Sequence, residues 1–509
     1  MNPSSNVRLY LQDCLAKYNK LPVQVRASFW FFICAFLQKA IGMISTPIFT
    51  RLLTPAEYGQ FSVFMSWMGI ATIFISLCLY YGVYMQGLVK FDQKRALFSS
   101  SMQGLTLVMV IVWSVVYAMG YSFWNQLFSL TTLQMACMFV LIWVSAVFNF
   151  WASEQRVDYK YRTLVSITLI ASFLQPLIGI LFVLASSDKV TARILGLVVV
   201  DTACFSWMFF KQMHSGNYKI SWSFCKYALL FNIPLVPHYL SQVVLSSSDR
   251  IMIGQMVGDT QAGIYSLAYS VALIMTLFNA ALSQTINPWI YQQIKANRIE
   301  RLAPVIYFTL VFIAGVNLLL MLCAPEIIAI FAPKPYYQAI WTIPPVAMSV
   351  YFMYAYDAFA KFAFYYEKTV YIMTASIIGA VANIVLNYWL IPIFGYIVAG
   401  YTTLLCYVLY VTFHYLFMNK ICDKYCQHVR PYNTHIICCI TIIFILLSFG
   451  ILCTYRSVEL RLLCVVLFLW FCYHKRHILI SYFKQIQLFH SVKRNEPNAS
   501  QKISKELVS

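Results

Sequence analysis

Apolar residues run through this chain in long blocks separated by short polar joints. A helix crossing the roughly 30 Å hydrocarbon core of a bilayer needs about 20 such residues. Read on that scale, the pattern predicts spans at Ala27 to Thr50, Tyr58 to Leu88, Met102 to Trp124, Thr131 to Trp151, Leu164 to Ala185 and Thr191 to Phe210. After a polar gap it predicts six more: Phe224 to Leu245, Gly263 to Asn287, Pro304 to Leu322, Tyr337 to Phe359, Thr369 to Ile391 and Phe394 to Phe417. Thr434 to Cys453 and Val458 to Tyr473 complete the set, the last one short and holding Arg461. The pattern therefore predicts an all-α polytopic membrane protein of about fourteen transmembrane helices. No block at the start has the form of a cleavable leader.

Charge tests this reading. With fourteen spans, both termini and every even-numbered joint share one side, which carries about 28 of the 36 Lys and Arg; about 7 lie on the other side. The basic clusters include Lys90, Lys94 and Arg95, then Arg156, Lys160 and Arg162, then Lys295, Arg298 and Arg301. The positive-inside rule makes that side the cytoplasm. Dropping the last span would put the basic tail outside and break the pattern. Within the tail, His477 to Phe489 has the amphipathic character of a surface-lying helix. The expected divisions are a cytoplasmic segment 1–26, a first lobe 27–210, a second lobe 211–418, two further spans in 419–474 and a basic tail 475–509.

Composition agrees. Hydrophobic residues make up 61% of 509 and charged residues 10%, against about 25% charged in a soluble domain. The net charge of +19 is dispersed among joints instead of forming a stripe, which argues against nucleic acid. The 15 cysteines lie mostly inside apolar blocks without zinc spacing, and are read as small hydrophobes. A Walker A sequence, H-E-x-x-H and D-x-D are absent.

Text after the first and seventh spans repeats. Gly59-Gln60-Phe61-Ser62 with Ser66 matches Gly263-Ile264-Tyr265-Ser266 with Ser270, each preceded by an arginine, Arg51 or Arg250. Six spans separate the copies, so the halves share one orientation, as in transporters built from parallel repeats.

Thr50 to Trp67 (TRLLTPAEYGQFSVFMSW) and Ser246 to Val271 (SSSDRIMIGQMVGDTQAGIYSLAYSV) resemble the corresponding segments of O-antigen and capsule flippases. These belong to the polysaccharide-transporter branch of the multidrug/oligosaccharidyl-lipid/polysaccharide exporter superfamily. The resemblance covers about Ala27 to Met418. It implies a MATE-like fold of two six-helix lobes around a central cavity, with two added C-terminal helices, working by alternating access. It implies a bacterial inner-membrane location with both termini cytoplasmic. The implied substrate is an oligosaccharide repeat unit on undecaprenyl pyrophosphate, and the implied partners are membrane lipids and the polymerase and chain-length proteins of glycan assembly. No cofactor is implied beyond proton or sodium coupling.

Ionisable groups inside spans are costly and are functional candidates by default. Lys39 lies about 12 residues into the first span, about 18 Å along the helix, and suits a pyrophosphate in a watery cavity; the plainer reading is an interhelical pair. Arg51 and Arg250 sit at the expected outer helix ends, where they suit the emerging headgroup, or simply fix topology and form a structural pair, Arg250 with Asp249 for instance. Asp201, midway along the sixth span, suits a coupling proton or cation, or a pair with Lys39. Asp357 lies within one turn of Lys361 and reads as a solvated ion pair. Asn383 and Asn387 share one helix face and suit sugar hydroxyls, or join helices. Pro176, Pro234, Pro237 and Pro288 are candidate kinks or breaks.

Two rivals remain open on sequence. A small-molecule antiporter of the same superfamily favours acidic groups in its cavity, whereas basic and neutral groups predominate here. A membrane glycan polymerase or ligase usually needs a large loop outside the membrane, which this chain lacks.

Overall fold

Thr54, Pro55 and Glu57 mark where the first joint ends. The Thr54 hydroxyl accepts from the Glu57 backbone N–H at 3.3 Å and the Thr54 N–H donates to the Glu57 carboxylate at 2.7 Å. This reciprocal cap, with proline at the first helical position, starts a helix with its free donors satisfied. Thr131 and Gln134 form the same device, and Asp188, Asn433 and Ser457 cap three further helices.

In the computed structural model, residues 22–476 are described. The amphipathic segment expected at His477 to Phe489 lies outside them, as do most of the tail and residues 1–21. The helices are α1 (Val23–Leu52), α2 (Pro55–Ser76), α3 (Gly82–Lys90), α4 (Arg95–Met119), α5 (Tyr121–Phe128), α6 (Thr132–Val157), α7 (Tyr161–Ala185) and α8 (Lys189–Ser215). They continue as α9 (Trp222–Asn232), α10 (Val236–Met256), α11 (Asp259–Ala272), α12 (Met275–Lys295), α13 (Leu302–Leu322) and α14 (Ala324–Phe331). The series ends with α15 (Ile343–Tyr365), α16 (Thr369–Phe394), α17 (Val398–Tyr425), α18 (Thr434–Thr454) and α19 (Val458–His474).

Helix stands at every position where a span is expected. Among the described residues, 12 helical stretches are long and apolar enough to cross a membrane. The remaining two positions hold α15, diluted by tyrosines and by Asp357 and Lys361, and α19, which has 17 residues.

Three expected spans are interrupted near their middles, while the third and tenth break near one end, at Gly120 and Thr342. The second breaks between α2 and α3, where Leu77 and Cys78 take left-handed φ values of 47° and 49°. Such values are disfavoured for side-chain-bearing residues and need support from outside. Asn232 gives it, donating its amide to the Leu77 carbonyl. The seventh breaks at the 3-10 turn Ile233–Leu235, with Pro234 in the turn and Pro237 opening α10. The eighth breaks between α11 and α12. Pro176 and Pro288 instead stay inside continuous helices.

The chain divides into two compact units. One comprises the described residues up to Ser266, with Ile330–Tyr336 and Asn383–Ala399. In it α7 packs on α8 and α1, α6 on α8, and α10 on α2. Its cores are aromatic and aliphatic: Tyr84, Phe98 and Phe150 form one centre, Trp151, Phe205 and Met208 another. The other unit comprises Leu267–Ala329, Tyr337–Ala382 and the described residues from Gly400 on. In it α13 packs on α15, α18 and α19. Arg461, at the start of α19, is buried and pairs with Glu326 of α14. A partner thus accounts for the arginine in the last span.

Candidate functional site

The polar groups inside the helices fall into separate clusters. Lys39 is exposed in the middle of α1, and the neighbouring Gln38 donates to the Ser172 hydroxyl of α7 at 3.2 Å. Asp201 of α8 accepts from the Gln175 amide at 2.6 Å. These residues bring α1, α7 and α8 of the first unit to one polar seam.

Arg51 is bound to backbone. Its guanidinium donates to Pro47 O at 2.7 Å and to Ile330 O at 3.0 Å, while Thr50 donates to Phe331 O at 2.6 Å. A cation is favourable at such carbonyl-rich helix C-termini. Arg250 is not its equivalent in helix position. Arg51 stands next to last in α1, whereas α10 runs on past Arg250 to Met256. The expected end of the seventh span at Leu245 is too early because the serines and charge after it remain helical.

The most enclosed cluster centres on Asp249, 1% exposed. Its carboxylate accepts from the Tyr265 hydroxyl at 2.6 Å and from the Asn387 amide at 2.7 Å. Asn387 also donates to the Asn383 carbonyl oxygen at 3.2 Å, which the Ser248 hydroxyl reaches at 2.8 Å. Both asparagines are fully buried. They dress a carboxylate inside the helices, as a low-dielectric interior requires. Their i,i+4 spacing was legible in the sequence; the carboxylate they serve was not, because nothing in the chain pairs residues 138 positions apart.

In the second unit Asp357 and Lys361 do pair, at 2.5 Å. Lys361 is buried, and Ser283 also donates to Asp357 at 3.1 Å. The pair is therefore half-sheltered, with Lys361 buried and Asp357 29% exposed.

Sequence reasoning passed over Arg193. It stands in the first turns of α8, inside the apolar run TARILGLVVV. Its guanidinium lies 3.6 Å from the Phe61 ring centre and 3.9 Å from that of Phe49. The signal was its place within the sixth expected span instead of before it.

Residues 25–294, more than half of the chain, match the family model described as polysaccharide biosynthesis protein. The chain belongs to that family. A second model, MatE, matches residues 234–389 of this polysaccharide biosynthesis protein. It is 24% identical over 208 residues to a protein of the Lsg locus of Haemophilus influenzae, covering 38% of this chain and half of that relative's length. In fold it is similar to lipid II flippase MurJ in an inward closed conformation, with a TM-score of 0.63 and 14% identity, covering 88% of this chain and 99% of that one. It is also similar to an inward-facing multidrug resistance MATE family transporter of the MOP superfamily, with a TM-score of 0.58 and 9% identity, over 77% and 96% of the two chains. The fold class expected from the sequence, all-helical and MATE-like, is thereby shown.

Proposed function

We propose that this protein turns an oligosaccharide repeat unit on undecaprenyl pyrophosphate from the inner to the outer leaflet of the bacterial inner membrane, by alternating access and without bond chemistry. The observation that carries the reading is the polysaccharide biosynthesis family match over residues 25–294. The fold shared with a protein named for lipid II flipping supports it. In this reading both termini are cytoplasmic, and the product passes to the polymerase and chain-length proteins of an O-antigen or capsule system.

Lys39 is the proposed counter-charge for pyrophosphate, being exposed at mid-helix. Asn383 and Asn387 act through Asp249 in this proposal, holding a cluster that shapes the path, and Arg51 holds helix ends together. Arg250, half-buried in α10, is proposed to meet the headgroup. Coupling to protons or sodium is assigned to the embedded carboxylates, Asp201 first.

The test is the fate of lipid-linked glycan in cells depleted of the protein. Complete repeat units should accumulate on the inner leaflet while surface glycan is lost. Lys39→Ala should reproduce this with normal protein in the membrane. Normal intermediates and normal surface glycan, in cells without a redundant exporter, would reject the reading. The second reading, a small-molecule antiporter, is favoured by the MatE match over residues 234–389, and depletion would then sensitise cells to small cations instead.

A further inference from the structure

A cavity of about 260 Å³ opens inside the first unit, walled by α1, α7 and α8. Arg193 forms one wall. Its guanidinium is held between the rings of Phe49 and Phe61, at 3.9 and 3.6 Å from their centres, with Tyr58 at 5.4 Å. Cation–π contact on two sides fixes the plane of the group. No carboxylate pairs with Arg193 among the described residues, and its Nη1 is shut off from solvent without a hydrogen-bond acceptor. A buried donor left without an acceptor costs about 1–3 kcal/mol, more when charged. A guanidinium oriented by two rings, with no paired carboxylate among the described residues and lining an open cavity, has the makings of an anion-binding site.

The other walls say which anion. Gln38, Ser45, Ser172 and Gln175 line the space. They are neutral amides and hydroxyls, the partners that sugar hydroxyls use. Gln175 is tied to Asp201 at 2.6 Å, which places a carboxylate just behind the wall. A pyrophosphate, with two or more negative charges, would find one cation here and one nearby repelling group. A single carboxylate matches the planar fork of one guanidinium. The volume is of the scale of one sugar ring.

We propose that this cavity is a subsite for one acidic sugar, its carboxylate on Arg193 and its hydroxyls on Gln38, Ser45, Ser172 and Gln175. The proposal rests on the flippase reading and narrows its substrate to repeat units that contain a uronic or similarly carboxylated sugar.

The experiment uses the full-length protein in nanodiscs, with glucuronate, glucose and inorganic pyrophosphate as probes and thermal stabilisation as readout. Glucuronate should stabilise the protein more than glucose or pyrophosphate. Arg193→Gln should weaken glucuronate at least tenfold. Ser172→Val, which narrows the cavity and leaves the arginine, should do the same and serves if the arginine variant does not fold. Stabilisation by pyrophosphate above glucuronate, lost in Arg193→Gln, would assign the cavity to the lipid headgroup and overturn the sugar subsite. Glucuronate binding that is absent, or unchanged in both variants, overturns it as well. Sugar analysis of the lipid-linked material that accumulates on depletion separates the two readings. An acidic sugar supports the subsite. A wholly neutral repeat unit defeats the subsite but keeps the flippase. No accumulation defeats the flippase, and the probe measurements then decide the cavity alone.

Discussion

Gly59 and Gly263 lie against each other's helix backbone. A Cβ on Gly59 would stand 1.9 Å from the Asp259 carbonyl oxygen, and one on Gly263 would stand 1.9 Å from that of Pro55. Each glycine therefore meets the backbone four residues before the other, a reciprocal contact expected of two copies of one motif crossing at a local two-fold axis. The nearest atoms are backbone, which cannot swing aside. Gly59→Ala and Gly263→Ala should each destabilise by about 3 kcal/mol or more, as overpacking at its most severe does. Thermal unfolding in detergent checks this, and a variant that melts with the parent would show that the helices can part freely.

The cluster around Asp249 predicts a stability loss that does not add. Asn387→Ala removes a direct donor to the carboxylate; Asn383→Ala removes the acceptor for Ser248 and Asn387. Each should cost roughly 1–3 kcal/mol. The double variant should cost less than the sum, because the residues share partners. Additive losses in chemical unfolding would mean that the asparagines act separately.

Arg461 and Glu326 predict strong coupling. The arginine side chain is 5% exposed, so Glu326→Gln leaves a buried charge without its counter-ion. That should cost less than the roughly 3–5 kcal/mol of a fully buried pair, because the Glu326 side chain is 47% exposed. Arg461→Leu together with Glu326→Gln should recover much of the loss. A double-mutant cycle with no coupling would show that the pair contributes nothing.

Asp158, at the joint after α6, predicts a pH dependence. Burial raises its pKa, but hydrogen bonds from Lys160 at 2.8 Å and Arg95 at 2.7 Å outweigh that and leave it below its ordinary 3.8. A carboxyl depressed in the folded state stabilises above its unfolded pKa, and the benefit is lost as pH falls through the folded value. Asp158→Asn should therefore be less stable than the parent at pH 7, by about 1 kcal/mol or less since the pair is partly exposed. The difference should close below about pH 4. A gap that persists at low pH would locate the effect in packing instead of charge.

Much of the fold was legible because lipid is a severe solvent. Each helix must satisfy its own backbone and present apolar side chains, so length and hydropathy alone mark it. The breaks were legible only where proline makes them, as at Pro234 and Pro237. The break at Leu77 and Cys78 carries no glycine or proline, and depends on an amide from Asn232, 155 residues away. Of the polar candidates, sequence singled out Lys39, Arg51, Asp201, Asn383 and Asn387 by type and depth. It could not distinguish Arg51, bound to helix-end carbonyls, from Arg193, held between two rings with a donor unmet.

The sequence by itself determined the solvent, the places and order of the long apolar helices, and the repeated glycine motif. Those properties follow from local periodicity and charge, which are written along the chain. Tertiary structure alone decided which polar groups meet. Whether a buried amide serves a carboxylate, a backbone carbonyl or an open cavity depends on contacts between helices far apart in sequence, and a low dielectric makes each of those pairings decisive.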